Sequence, residues 1–168
     1  SINMKSQQVT VLIGPVCTGK STYIINKPFD YVVSSDNIVD ELIKKNGMSY
    51  SQFFLLDFND PLRKKQRWMF NQSVKSSKSY SNIVWDLTNL TRANRSKVFK
   101  NYPDAIFHAI EFNFQGFEDK VLLKAEKRGK ETGKHVPQEI IRNMFSIHEE
   151  PTKSEGFKTI SNVNIYTQ

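Results

Sequence analysis

Gly14-Pro15-Val16-Cys17-Thr18-Gly19-Lys20-Ser21, with Thr22 next, sets glycines, an amine and hydroxyls at the spacing G-x-x-x-x-G-K-[ST]. This is the spacing of a phosphate-cradling P-loop. The glycines let the backbone curl until successive N–H groups point inward at phosphate oxygens, and the positive end of the following helix adds its attraction. In such a loop Lys20 reaches the β- and γ-phosphates and the Ser21 hydroxyl ligates Mg²⁺. Val9-Thr10-Val11-Leu12-Ile13 leads in as a strand would, and Ser21-Thr22-Tyr23-Ile24-Ile25 leads out as a helix. A plain glycine turn is the alternative, and these flanks disfavour it. The motif implies that the chain binds a nucleoside triphosphate.

Three further groups could take part in the same chemistry. Asp36 follows the apolar Tyr31-Val32-Val33 at the head of a helix. It reads either as the helix N-cap or as the carboxylate that orients an acceptor hydroxyl and takes its proton. Asp86 follows Ile83-Val84-Trp85, where an acidic residue can hold a Mg²⁺-bound water or position the Asp36 region; a turn or cap role is the alternative. Thr88 and Asn89 read as residues that fix that loop. Lys124 and Lys127 suit the negative end of a helix, whereas Arg128 could swing over phosphates and meet the charge developing in transfer. Arg63, Lys64, Lys65 and Arg67 crowd one helix start, as a solvated face or as a clamp for a polyanionic acceptor. Trp68 and Phe70 read as core residues. His108, His135 and His148 lack metal-ligand spacing, and Cys17 reads as a small filler within the loop.

The elements that must position these groups alternate. Strands are expected at Val9–Ile13, Tyr31–Ser34, Asn82–Trp85, Ala105–Phe112 and near Asn162–Tyr166. Helices are expected near Ser21–Asn26, Asn37–Asn46, Pro61–Ser76, Arg92–Asn101, Phe117–Lys127 and Pro137–Ile147. Pro61 and Pro137 suit first helical positions, and Gly47 and Gly129 suit helix stops. The alternation predicts an α/β fold, a parallel sheet of about five strands flanked by helices. In such sheets ligands gather beyond the carboxyl ends of the strands. The P-loop, Ser34-Ser35-Asp36 and Asp86-Leu87-Thr88-Asn89 all fall at such ends and should converge.

The length of 168 residues suits one domain, expected over residues 4–168, with Ser1-Ile2-Asn3 before Met4 reading as a cloning remnant. With 38% hydrophobic and 24% charged residues the chain is globular rather than disordered. No apolar run approaches the roughly 20 residues that span a bilayer, and no secretory leader is evident. A single cysteine fits a reducing compartment, so a cytoplasmic location is expected. The net charge of +7 favours a polyanionic partner.

Taken in order, G-x-x-x-x-G-K-S-T, S-S-D, D-x-T-N-x-x-x-x-x-R (Asp86 to Arg95), K-R-G and V-P resemble the P-loop polynucleotide 5′-hydroxyl kinases, the kinase domain of phage members in particular. The closing Pro151-Thr152…Glu155-Gly156-Phe157 resembles an element of the wider kinase superfamily. The resemblance runs from about Val9 to Phe157. It implies a kinase fold with a helical lid, ATP or GTP as donor with Mg²⁺, and the 5′-OH end of RNA or DNA as acceptor. It makes Lys20 and Ser21 the grip on phosphates and metal, Asp36 the general base, Arg128 the lid arginine and Val136 the neighbour of the donor base. Lys124 stands where phage members have a second lid arginine. Two positions depart from the pattern. Val39 replaces an arginine that in the family binds the acceptor phosphate, and Leu87 sits where phage members place the aspartate of the Asp86 motif. The residue usage hints at a phage or low-GC bacterial source. A small-molecule kinase acting on a nucleoside or other alcohol, and an NTP-binding regulatory module without transfer, are the competing readings.

Overall fold

A computed structural model gives the structure of the chain and describes residues 6–165; the expected cloning remnant and Tyr166 lie outside them. Five strands form one sheet: β1 (Gln8–Ile13), β2 (Tyr31–Val33), β3 (Asn82–Trp85), β4 (Ile106–Asn113) and β5 (Phe157–Asn164), in the order β2-β3-β1-β4-β5. Every pairing is parallel, with Val9 of β1 opposite Ile83 of β3 and Phe107 of β4. The helices are α1 (Lys20–Ile25), α2 (Ser35–Asn46), α3 (Tyr50–Leu55), α4 (Pro61–Ser77), α5 (Arg92–Asn101), α6 (Glu118–Thr132) and α7 (Gln138–Ile147).

Side-chain alternation along the strands separates two cores. Val9, Val11 and Ile13 of β1 join Ile83 and Trp85 of β3, Val74 of α4 and Val98 of α5 in one buried cluster. Leu12, Val84 and Phe112 point the other way and meet Tyr23 and Ile24 of α1. Both faces of the central strands are therefore covered, as a parallel sheet requires. Two satellite cores complete the molecule. Ile38, Val39 and Leu42 of α2 pack on Phe53 of α3. Val121, Leu122 and Ala125 of α6 pack on Ile141 and Phe145 of α7, and that cluster reaches Val16 and Cys17 of the P-loop.

The architecture matches the sequence expectation, with corrections at particular residues. Gly129 does not stop α6; the helix runs on to Thr132, and Gly133, at φ 78, is its left-handed cap. A Cβ on Gly129 would stand 2.5 Å from Nδ1 of His135, so the glycine leaves room for the chain returning from the helix. Pro137 is the N-cap of α7 and not its first residue. Strand β5 starts at Phe157, well before Asn162. Trp68 is 61% exposed and not core, while Phe70 meets Trp85 edge-on, ring centroids 5.8 Å apart. Helix α3 was not expected at all.

The closing Pro151-Thr152…Glu155-Gly156-Phe157 element is held by an ion pair. Arg95, 0% exposed, donates from Nε to Glu155 Oε1 at 2.8 Å and from Nη2 to Oε2 at 3.2 Å. Its Nη1 donates to the Asn89 carbonyl at 3.1 Å, and Glu155 also accepts from the Thr152 backbone N–H at 2.8 Å. Burial pushes the Glu155 carboxyl up, but the hydrogen bonds from Arg95 and Thr152 outweigh it and hold it below the usual glutamate range. A carboxyl depressed on folding adds stability above its ordinary pKa and loses it as pH falls through the folded value. Arg95→Met should cost about 3–5 kcal/mol, the range for orphaning one member of a buried pair. Urea denaturation should show that loss at neutral pH and a weakened acid dependence of stability in the variant.

Candidate active site

The P-loop hangs from the carboxyl end of β1. Gly19, at φ 87, takes the left-handed conformation that glycine adopts freely and caps α1. Cys17, at φ 60, does so without that freedom. A Cβ on Gly14 would come 3.0 Å from Thr18 Oγ1 and 3.2 Å from Phe112 Cβ, so any larger residue would crowd those two side chains. Thr18 Oγ1 donates to the Pro15 carbonyl at 2.8 Å. The loop is also tied to the end of β3. The Gly14 N–H donates to the Thr88 carbonyl at 3.0 Å, and Asn89 Nδ2 donates to the Leu12 carbonyl at 2.8 Å. Asn89, at φ 46, is left-handed as well, which gives physical content to its expected role of fixing the loop.

Around this loop the expected groups converge on one cleft of about 630 Å³. Val16, Cys17, Thr18, Gly19, Lys20, Ser21 and Thr22 line it, together with Asp36, Asp86, Lys124, Lys127 and Arg128. Lys20 Nζ donates to the carbonyls of Gly14 at 2.7 Å and Pro15 at 2.6 Å. Ser21 Oγ donates to Asp86 Oδ2 at 3.1 Å. Arg128 Nη1 approaches Cys17 Sγ at 3.7 Å, so α6 covers the loop. Ser34, not Asp36, caps α2, its Oγ accepting from the Asn37 N–H at 3.3 Å. The cap alternative for Asp36 thus falls away, and its half-buried carboxylate stands in the first turn of α2 at the cleft wall. Asp86 is engaged with Ser21 and is no helix cap.

Charge in the cleft is tuned by burial. Desolvation pushes Lys20 down to about 8; Asp86, Asp36 and Cys17 oppose the shift and Arg128 adds to it. Burial lifts the Asp86 carboxyl, with Lys20 and the Ser21 hydroxyl pulling it back and Asp36 adding to the rise. Sequence reasoning missed Tyr50, which lines the cleft from α3. Its phenol is pushed up to about 12, by burial first and then by the Asp36 carboxylate. A signal for it was present: Ser49 and Gln52 form the capping box that starts α3.

Other candidates stand elsewhere. Val136 packs against the α6–α7 cluster and is not among the cleft-lining residues. Arg63, Lys64 and Arg67 lie on α4, outside the cleft lining. The Arg63 guanidinium covers Phe53 and Phe54 at 5.4 and 5.3 Å and donates to the Leu56 carbonyl at 3.3 Å. Lys64 is exposed. Among the described residues no cluster of His, Cys, Asp and Glu forms a metal cage, and no helix is long and apolar enough to cross a membrane.

A family model described as an AAA domain matches residues 9–151. The chain belongs to that family. The AAA domain carries a P-loop, so this is a nucleotide-binding fold with the architecture of P-loop kinases. No curated protein matches the sequence. Solved structures share the fold at low identity. A chain of the Pnkp1/Rnl/Hen1 RNA repair complex superposes with a TM-score of 0.63 at 20% identity, over 86% of this chain and 45% of its own. This chain thus spans less than half of that protein. A fungal RNA kinase gives 0.55 at 13% identity, over 98% of this chain and 78% of its own. A sugar kinase from a Janibacter species gives 0.54 at 14% identity, over 98% and 88%.

A protonated Lys20 binds phosphate and a neutral one does not, so the depressed value has a visible consequence. Triphosphate affinity should fall as pH rises through about 8. Lys20→Met should bind weakly and without that pH dependence. Titration with a fluorescent triphosphate analogue across about pH 7 to pH 9 checks both.

Proposed function

We propose that this AAA domain is a polynucleotide 5′-hydroxyl kinase, moving the γ-phosphate of ATP or GTP to the 5′-OH end of RNA or DNA. One observation carries the reading: the Asp36 carboxylate shares a single cleft with Lys20, Ser21 and Arg128. A module that only senses nucleotide needs no carboxylate where an acceptor would lie. The ordered motifs from Gly14 to Phe157 support the polynucleotide acceptor, and folds described as an RNA repair complex and an RNA kinase are consistent with it.

Phosphoryl transfer passes through a loose, charge-spread transition state, so catalysis rests on positioning and charge neutralisation. Lys20, now held on the Gly14 and Pro15 carbonyls, has a third donor for the β- and γ-phosphates. The Arg128 contact with Cys17 Sγ is long, and giving it up frees the guanidinium for the transferring group. Asp36 orients the attacking hydroxyl and accepts its proton. The Ser21 and Asp86 oxygens suit Mg²⁺, a hard cation that would take most of its remaining ligands from phosphates and water and would help neutralise the phosphates.

A small-molecule kinase is the second reading, and Val39 favours it. The side chain is 1% exposed in the α2–α3 core, so this position supplies no cation where the resembling family has an arginine for the acceptor phosphate. The fold shared with a sugar kinase is compatible with that acceptor class.

Labelled γ-phosphate transfer, with a 5′-OH oligonucleotide and a nucleoside offered as acceptors, separates the two. Lys20→Ala should abolish transfer to either while circular dichroism shows the fold retained, with a lowered melting temperature as the Gly14 and Pro15 carbonyls lose their donor. Asp36→Asn should retain triphosphate affinity and lose roughly 10²-fold or more in rate, the scale of a lost general base. Because Ser34 does the capping, unchanged activity in Asp36→Asn would remove Asp36 from the mechanism.

A further inference from the structure

From the acceptor wall of the cleft a row of flat side chains leads outward across α3 and α4. Tyr50 lines the cleft beside Asp36. One turn along α3, Phe54 lies with its ring 4.8 Å from that of Tyr50 and is 43% exposed. The Arg63 guanidinium stands over Phe54 at 5.3 Å. Arg67, four residues on, shares that face of α4, and its guanidinium covers Phe58 at 3.9 Å. Phe58 is 61% exposed. The row therefore combines three aromatic rings with two guanidinium planes, from the expected base to the surface.

We propose that this Tyr50–Phe54–Arg63–Arg67–Phe58 ladder is the path of a single-stranded nucleic acid whose 5′ end enters the cleft. The inference rests on the polynucleotide reading above and names where the strand lies. Bases stack on aromatic rings and on guanidinium planes regardless of sequence, and the cations offset phosphate charge. Two features favour a polyanion over a protein or a lipid surface. The cations sit within the row and not around it, and Lys64 and Lys65 add exposed positive charge on the same helix, so that the four cations outnumber Asp57 and Asp60 beside the row. The ladder also offers an answer to Val39: acceptor affinity would come from stacking along α3 and α4 instead of from one arginine on α2.

The test compares a 5′-OH strand of about ten nucleotides with a dinucleotide as acceptors, as RNA and as DNA. In the double variant Phe58→Leu/Arg67→Gln, the ratio of kcat/KM for the long acceptor to that for the short one should fall about tenfold. The salt dependence of the long acceptor's KM should flatten by about one counterion, since one cation is gone. Phe58→Tyr should keep stacking and most of the ratio in an Arg67 background, and circular dichroism should show all variants folded, as Phe58 is exposed and Arg67 only half-buried. If the unaltered protein phosphorylates strands and the double variant keeps the full ratio and salt slope, the ladder is overturned while the kinase reading stands. If the unaltered protein phosphorylates a nucleoside or sugar but no strand, the polynucleotide reading fails and the ladder with it.

Discussion

Strand β1 is buried on both faces between β3 and β4, and its carboxyl end must turn where the sheet order reverses. On the β3 side the ladder stops at Trp85 opposite Val11, so the polar groups of the last residues of β1 and of the loop need other partners there. The chain meets them locally. The Leu12 carbonyl takes the Asn89 amide, the Gly14 N–H reaches the Thr88 carbonyl, and Lys20 bridges the carbonyls of Gly14 and Pro15. The loop after β3 and the loop after β1 are therefore one hydrogen-bonded unit. Fixing the first sets Ser21 against Asp86, and α6 closes on the result through Arg128 and Cys17. The positions of the groups around the P-loop follow from that junction.

Much of this was legible in the residues because backbone constraint and chemistry coincide in them. The glycines of the P-loop are required both by the turn and by the phosphate, so the motif signals twice. Strand β3 and helix α5 lie where the apolar run and the Thr91 cap place them. Legibility failed where two residues of equal local aptitude competed. Ser34, Ser35 and Asp36 are all apt helix caps, and only the approach of Ser34 Oγ to the Asn37 N–H selects one. Gly129 and Gly133 are both apt stops, and the choice depends on the return of His135 past the helix. Trp68 shows the converse: a large apolar residue carries no mark of which side of α4 meets the core.

Tyr50 illustrates the deeper limit. Its capping box announces a helix, yet α3 spans only Tyr50–Leu55 and no hydrophobic period can be read over so short a length. That the first residue of this helix faces the cleft is decided by Phe53 packing onto Val39 and Leu42 of α2. The valine that departs from the resembling family thus also helps to seat the helix that brings Tyr50 to the cleft wall. Helix α6 has a comparable long-range tie: Lys134, just beyond it, donates to Asp40 Oδ2 of α2 at 2.7 Å. It links the α6 and α2 sides of the cleft across 94 residues of sequence.

The Arg95–Glu155 pair reaches from the entry to edge strand β5 back to the carbonyl of Asn89, whose amide holds the strand feeding the P-loop. Edge and P-loop are two ends of one short relay. A substitution at Glu155, which lies outside the cleft lining, would therefore be felt in the cleft from a distance. The closing segment is thus tied to the geometry of a loop on the far side of β4, a coupling that distance along the chain conceals.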